Sequence, residues 1–390
     1  MTSIERRENR YQRRKQRRLE KLQQHANAIG WIDSVFTFTR LYSAGKQSCK
    51  GVRWKQSTQN FERHLFSRTA VALTELLNNK WVPSKCTSFQ LCERCKVRDI
   101  DAPNIRDRQV EKLFTRDVLL PSYTPHLIYN NGASLPKKGF SFTKKLVKRD
   151  LKRFIKRFGL NGKLILLDCK KFFPSAQHER LYELHLRYIL ECELRRLANS
   201  IIKSGGKSEG LSIGVEPNQA EMINYTVLFD NYCTCQLGLQ FFGHYMDDYY
   251  ILVPPNVDEK ELLKKIREKA EQWGITLNSS KTIVQDISKP FTFFKSRYTI
   301  TKTHRIVVRC NRKSCMNARR KLKAFKRKID SGEMTHIQMY AFTNSIIAYL
   351  EQYNNHNQVL KLSRLFYTLF GYNFTKYSNF VAADLAREQI

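Results

Sequence analysis

With 390 residues, 42% of them hydrophobic and 12% aromatic, the chain has the material for two or three lobes around packed cores, which excludes a disordered polypeptide. Its 69 Lys and Arg against 35 Asp and Glu give a formal charge of +34, and such an excess points to a polyanionic partner. No apolar run approaches the ~20 residues of a membrane span and no apolar leader segment follows the basic start, so a cytoplasmic protein without a membrane partner is expected.

In chain order, residues 1–45 read as a basic helical extension. Nine Lys and Arg between Arg6 and Lys21 face only Glu5, Glu8 and Glu20; without this tract's net +6 the rest still carries +28. The charge is therefore spread through the folded body, as in proteins that hold nucleic acid in a channel. Helical spacing follows from about Gly51 to Trp81, then a short basic strand, Lys96 to Ile100, and a charged cluster from Arg106 to Val110. Ten cysteines stand at irregular spacings; Cys86, Cys92 and Cys95 include one CxxC without a matching second pair, so ordinary reduced thiols are the first reading and zinc the alternative.

Thr143 to Phe158 is the clearest amphipathic helix. Val147, Leu151, Phe154, Ile155 and Phe158 share a face, while Lys144, Lys145, Lys148, Lys152, Arg153, Lys156 and Arg157 occupy much of the remainder. A solvated surface and a phosphate-facing surface both remain open for it. Lys163 to Asp168 is an apolar strand ending on an acid. A glycine-rich loop, Gly205 to Gly210, precedes a helix from Asn218 to about Cys233, and Tyr245-Met246-Asp247-Asp248 lies between apolar pieces as a hairpin would place it. Glu259 to Trp273 is helical, Gly274 to Asn278 returns to strand, Phe291 to Val308 suggests a hairpin, and the pattern from Ser314 onward is helical.

An Asp-Asp pair alone is common in solvated turns. Buried neighbouring carboxylates, however, raise each other's pKa unless a cation holds them, and in-line phosphoryl transfer uses two divalent metals. Asp168 at a strand end supplies a third carboxylate.

These elements resemble a reverse transcriptase of the stand-alone prokaryotic kind. Asp168-Cys169-Lys170-Lys171-Phe172-Phe173-Pro174-Ser175 is similar to the family's first palm motif, Gly210-Leu211-Ser212-Ile213-Gly214 with Asn218-Gln219 to the second, and Tyr245 to Asp248 to the third. Asn278-Ser279-Ser280-Lys281-Thr282 resembles the fourth, and Phe293 to Tyr298 sits where a primer-grip hairpin follows. Lys96-Val97-Arg98, Arg106-Asp107-Arg108-Gln109, Asn131-Gly132-Ala133-Ser134 and Lys137-Lys138-Gly139 resemble the fingers motifs. The likeness runs in unbroken order from about residue 50 to 330.

The resemblance implies an α+β right-hand polymerase: fingers over 46–162, a ferredoxin-like palm over 163–300 and a helical thumb over 301–390. It implies two Mg²⁺, replaceable by Mn²⁺, on Asp168, Asp247 and Asp248, with Lys281 as a candidate proton donor to pyrophosphate. Lys96, Arg98, Phe172, Phe173, Gly214 and Gln219 would meet the incoming dNTP, with Phe173 under the sugar. Arg106, Arg108, Lys144, Lys145, Lys148, Arg149, Lys152, Tyr245, Arg297, Arg319, Arg320 and Lys323 would meet nucleic acid. The second motif departs from the Pro-Gln-Gly of many members, and Ile213-Gly214 with Gln219 is closer to phage-defence and diversity-generating enzymes. The expected activity is therefore cDNA synthesis on an RNA template, a cognate noncoding RNA, in antiphage defence. A low-fidelity diversity-generating enzyme with an accessory protein is the alternative, a non-catalytic RNA-binding scaffold a second, and homo-oligomerisation stays open.

Overall fold

A computed structural model describes residues 2–93, 96–206, 208–353 and 355–374. Two compact units divide the chain: Met1–Leu146 with Ile165–Ile283, and Val147–Leu164 with Val284–Ile390. Helix and sheet are both present, as expected of an α+β protein, and no helix among the described residues is long and apolar enough to cross a membrane.

The first unit opens with helix Ser3–Ile29, started by a capping box in which Thr2 Oγ1 accepts from the Glu5 N–H (3.2 Å) and Glu5 Oε2 from the Thr2 N–H (2.7 Å). None of this helix is buried. Helices Phe38–Cys49, Gln56–Arg63 and Leu65–Leu77 follow, then an antiparallel hairpin of β1 (Thr87–Glu93) and β2 (Lys96–Ala102), with Leu91 opposite Arg98. The basic strand expected at 96–100 thus has a partner that its own sequence does not announce. Helix Ile105–Phe114 runs on through a π-helical turn, Thr115–Leu119, and its face of Val110, Leu113, Phe114 and Val118 packs against Phe36 and Leu41.

The same helix buries Glu111, whose Oε2 finds no hydrogen-bond partner among the described residues. Burial, then the charges of Asp107 and Glu216, push its carboxyl from 4.5 up to about 8. The folded state therefore binds a proton that the unfolded state releases above pH 4.5, so this group's share of stability is complete below that value and is lost as pH rises towards 8. Glu111→Gln should flatten this slope, raising stability at pH 8 by about 2–4 kcal/mol with little change near pH 4.5 in urea unfolding curves; an unaltered pH slope would count against a neutral buried acid.

A four-stranded sheet is built from β3 (Lys163–Asp168), β4 (Phe242–Tyr245), β5 (Asp248–Val253) and β6 (Ile283–Asp286), ordered β4-β5-β3-β6. Helices lie between β3 and β4, and helix Glu259–Gln272 lies between β5 and β6. The connectivity is βαββαβ with the first and third strands central, which is the ferredoxin-like arrangement expected of the palm. Its core joins Ile165, Leu167, Phe242, Tyr249, Ile251 and Val253 to Met222, Phe229, Leu262, Ile266 and Ala270 from the helices.

Two elements differ from expectation here. The strand read at Gly274–Asn278 is a single bridge, Leu277 opposite Cys169, and the fourth strand forms at 283–286. The turn residues Asn278, Ser279 and Ser280 draw that segment into local hydrogen bonds before a ladder can extend. The helix read over 218–233 is broken into Glu216–Tyr225, Val227–Asn231 and a π-helical turn, Tyr232–Gln236.

In the second unit, β7 (Phe291–Phe293), β8 (Ser296–Ile300) and β9 (Ile306–Cys310) form an antiparallel meander, one strand more than the expected hairpin. Helices Arg312–Asp330, His336–Glu351 and His356–Phe370 bury Leu322, Phe325, Tyr340, Ile347, Leu350, Leu362 and Phe366. Helix Phe140–Phe158 starts in the first unit and ends in the second. Of its expected apolar face, Val147, Leu151, Phe154 and Ile155 are buried and Phe158 is half-buried.

Candidate active site

β4 and β5 pair with Tyr245 opposite Asp248, leaving Met246 and Asp247 as a two-residue loop. Such loops need a positive φ, and Met246 supplies one at +53°, a region that non-glycine residues rarely enter. Beside them β3 ends: the Cys169 N–H donates to the Asp247 carbonyl at 3.0 Å, stitching the Asp168 strand end to the acidic turn. The segment after Thr276 wraps the same end, with Lys170 N–H on Thr276 O (2.8 Å) and Asn278 N–H on Asp168 O (2.8 Å).

These contacts put Lys281 Nζ at 2.9 and 2.8 Å from the two Asp168 carboxylate oxygens, and Asn278 Nδ2 at 3.3 Å from one of them. The Asp247 carboxyl is pushed up by burial and then by the Asp168 charge, against a backbone hydrogen bond and the positive fields of Lys281 and Arg98. Lys281 is raised by its hydrogen bond to Asp168 and by the charges of Asp168, Asp247 and Asp248, with partial desolvation opposing. Lys281 thus stands as a counter-cation to the Asp168 carboxylate.

Among the described residues no three His, Cys, Asp or Glu side chains are spaced to hold a metal, and Asp168 is paired with Lys281. The donor set nonetheless fits Mg²⁺ or Mn²⁺: it consists of carboxylate oxygens, and the burial and Asp168 charge that raise Asp247 are both offset by a hard divalent cation. Burial and the charges of Glu111, Asp101 and Asp107 push the Cys86 thiol up to about 11, away from the thiolate that zinc needs; Cys92 is exposed and Cys95 lies outside the described residues.

The second-motif loop packs on the first motif. Gly210 N–H donates to Ala176 O (2.7 Å) and Leu211 N–H to Phe173 O (2.8 Å), while the Phe172 and Phe173 rings meet edge to face, 6.0 Å between centroids. Gly210 has φ +85°, and a Cβ there would lie 2.6 Å from the Pro174 carbonyl oxygen. At the loop's far end the Asp101 N–H donates to Ile213 O at 2.9 Å, so β2 of the hairpin is tied to the loop. This brings Arg98, on the same strand, within electrostatic reach of Asp247. The backbone of Lys96 belongs to β2, but its side chain lies outside the described residues. Gln219 Oε1 accepts from Ser134 Oγ (3.3 Å), and Asn218 Nδ2 donates to Ser212 O (3.0 Å).

Other predicted contacts are dispersed. Arg106 is paired with Glu75, and Arg149 with the buried Asp150 at 2.9 Å. Arg108 and Tyr245 are half-buried; Lys145, Lys148, Lys152 and Arg297 are exposed; Lys144 lies over the Phe140 ring. In the second unit Arg319, Arg320 and Lys323 line a cleft of about 360 Å³ together with Lys361 and Leu365, and Arg319 Nη2 donates to Gln358 Oε1 (2.8 Å). Lys361 is not legible from the chain, because nothing in helix 356–370 shows that it faces helix 312–330.

No family model matches the chain, and no curated protein matches it. Among solved structures, telomerase from Candida albicans in complex with the TWJ fragment of telomeric RNA is similar at 11% identity and a TM-score of 0.45, over 77% of this chain and 65% of that one. Apo telomerase from Candida tropicalis, truncated from the C-terminal domain, is similar at 12% identity and a TM-score of 0.42, over 62% of this chain and 60% of that one. The chain spans less than two thirds of the length of either telomerase.

Proposed function

We propose that the protein is an RNA-directed DNA polymerase. The observation that carries this reading is the backbone stitch from Cys169 to Asp247, which brings a strand-end carboxylate beside a paired-carboxylate turn on a βαββαβ sheet. Asp168, Asp247 and Asp248 would hold divalent ions, whose chemistry is to acidify a primer hydroxyl and steady leaving pyrophosphate. Lys281 and Arg98 would balance charge around the triphosphate, and the loop from Gly210 to Gly214 would pack against the nascent pair. Fingers, palm and thumb are assigned to 46–162, 163–300 and 301–390. Retaining Asp168, Asp247 and Asp248 together gives a scaffold no benefit, which favours the enzyme over the non-catalytic alternative. The direct test is extension of a DNA primer on heteropolymeric RNA with dNTPs and Mg²⁺ or Mn²⁺. No product under either metal would sink the reading.

The cleft of the second unit gathers four cations and no acid, which suits a phosphate backbone. Combined Arg320→Ala, Lys323→Ala and Lys361→Ala should weaken RNA–DNA duplex binding and lower the salt slope of log K by about 2–3, a little under one for each phosphate that is no longer neutralised. An unchanged slope would remove this cleft from the binding surface.

The biological setting we favour is antiviral defence with a dedicated noncoding RNA. Its support is the loop Ser212 to Gln219, whose pattern it shares with the diversity-generating alternative. Sequencing nucleic acid that co-purifies with the protein separates the two: repetitive cDNA on one structured RNA against adenine-directed errors.

A further inference from the structure

Behind the acidic turn lies a polar group for which the two-metal scheme has no use. His244 is 1% exposed and precedes the turn on β4. Its Nδ1 is 3.1 Å from the carbonyl of Met246, and because a carbonyl only accepts, Nδ1 must carry the hydrogen. On the other side of the ring, Nε2 stands 3.0 Å from Asp230 Oδ2, a close polar approach that is not well aligned as a hydrogen bond. Asp230 is also 1% exposed and accepts from Thr226 Oγ1 at 3.0 Å. The imidazole lies flat on Tyr249, 4.7 Å between centroids and 12° between planes, so its rotation is blocked. Its backbone is fixed as well, with His244 N–H on Asn130 O (3.2 Å) and Gly132 N–H on His244 O (2.9 Å).

The residue whose carbonyl this ring holds is the one with φ +53°. A non-glycine residue in that region costs on the order of 1 kcal/mol or more and persists only where its surroundings hold it. The next two residues are Asp247 and Asp248. A small rotation at Met246 would swing the Asp247 carboxylate away from Asp168.

We propose that His244, oriented by Asp230, is a positioning residue that holds the Met246 carbonyl and thereby sets where Asp247 presents its oxygens to a divalent ion. The inference rests on the polymerase reading for its purpose, but not for its test. A bland alternative is a polar pair that merely fills the core; it predicts lost stability without altered metal binding.

The experiment uses the full chain and Mn²⁺ alone as probe, titrated by calorimetry and by the electron paramagnetic resonance of free Mn²⁺, beside Tm and primer extension. His244→Phe keeps a flat ring on Tyr249 and removes the donor. It should weaken Mn²⁺ binding by about 10–100-fold and lower kcat by a similar factor, leaving the dNTP KM within about twofold. His244→Asn, whose Nδ2 can reach the same carbonyl, should recover much of both. Asp230→Asn should give an intermediate loss, and it decides the matter if the Phe variant fails to fold. Wild-type Mn²⁺ affinity in folded His244→Phe or Asp230→Asn, or a fall in Tm alone, would overturn the proposal. A protein that makes no DNA, yet loses Mn²⁺ affinity in these variants, would overturn the polymerase reading and leave the positioning role standing.

Discussion

Asp247→Ala combined with Asp248→Ala should abolish dNTP incorporation, by about 10³-fold or more, while Tm stays level or rises. Loss of activity follows if these oxygens hold the metals, because electrostatic stabilisation of a transferring phosphoryl group has no substitute in the water that would replace them. The level Tm has a separate cause. Burial and the Asp168 charge already push Asp247 up, so its removal relieves a strain on the fold. A supporting contrast is Asp286, held down by its pairs with Lys163 and Lys289, whose conversion to Ala should leave incorporation unchanged. Incorporation that survives in the double variant would end the polymerase assignment.

Gly214→Ala should raise the KM for dNTPs by about 10–100-fold with a smaller loss in kcat. Gly214 has φ +119°, and a Cβ built there would come within 2.6 Å of the Asp101 carbonyl oxygen and 3.1 Å of Ile100 Cγ2. Backbone cannot yield as a long side chain can, so the loop or β2 must shift. Either shift breaks the Asp101 to Ile213 hydrogen bond and moves Arg98, whose charge is felt at Asp247. Gly51 is the control: its φ is +77° but nothing lies within 4 Å of a Cβ there, so Gly51→Ala carries the backbone penalty without the collision. Both variants should lose about 1 kcal/mol of stability from that penalty. Equal dNTP KM values in the two would show that the loop does not shape the nucleotide site.

Much of the four-stranded sheet can be read from the chain because its signals are local. An apolar run ending on Asp168, and an aspartate pair between two apolar runs, need only alternation and turn chemistry to be recognised, and β3, β4 and β5 lie there. β1 carries only a short alternation: Phe89 and Leu91 share a face against Ser88 and Gln90, both apolar side chains stay exposed, and only pairing with β2 makes it a strand. β6 is misplaced by it because Ile275 and Leu277 look like strand residues while the turn chemistry after them wins. The site's charge balance lies beyond sequence altogether. That Lys281 caps Asp168, that Glu75 takes Arg106, and that Asp230 meets His244 are long-range encounters with no spacing rule.

The stitch between β3 and the acidic turn runs from main chain to main chain, and that has an evolutionary consequence. Every residue type except proline has the N–H that position 169 contributes. The join between the main-chain segments that carry Asp168 and Asp247 is thus indifferent to which side chain stands at position 169. A change of residue type there, proline excepted, leaves the donor of this join in place while the neighbouring side chains are free to differ.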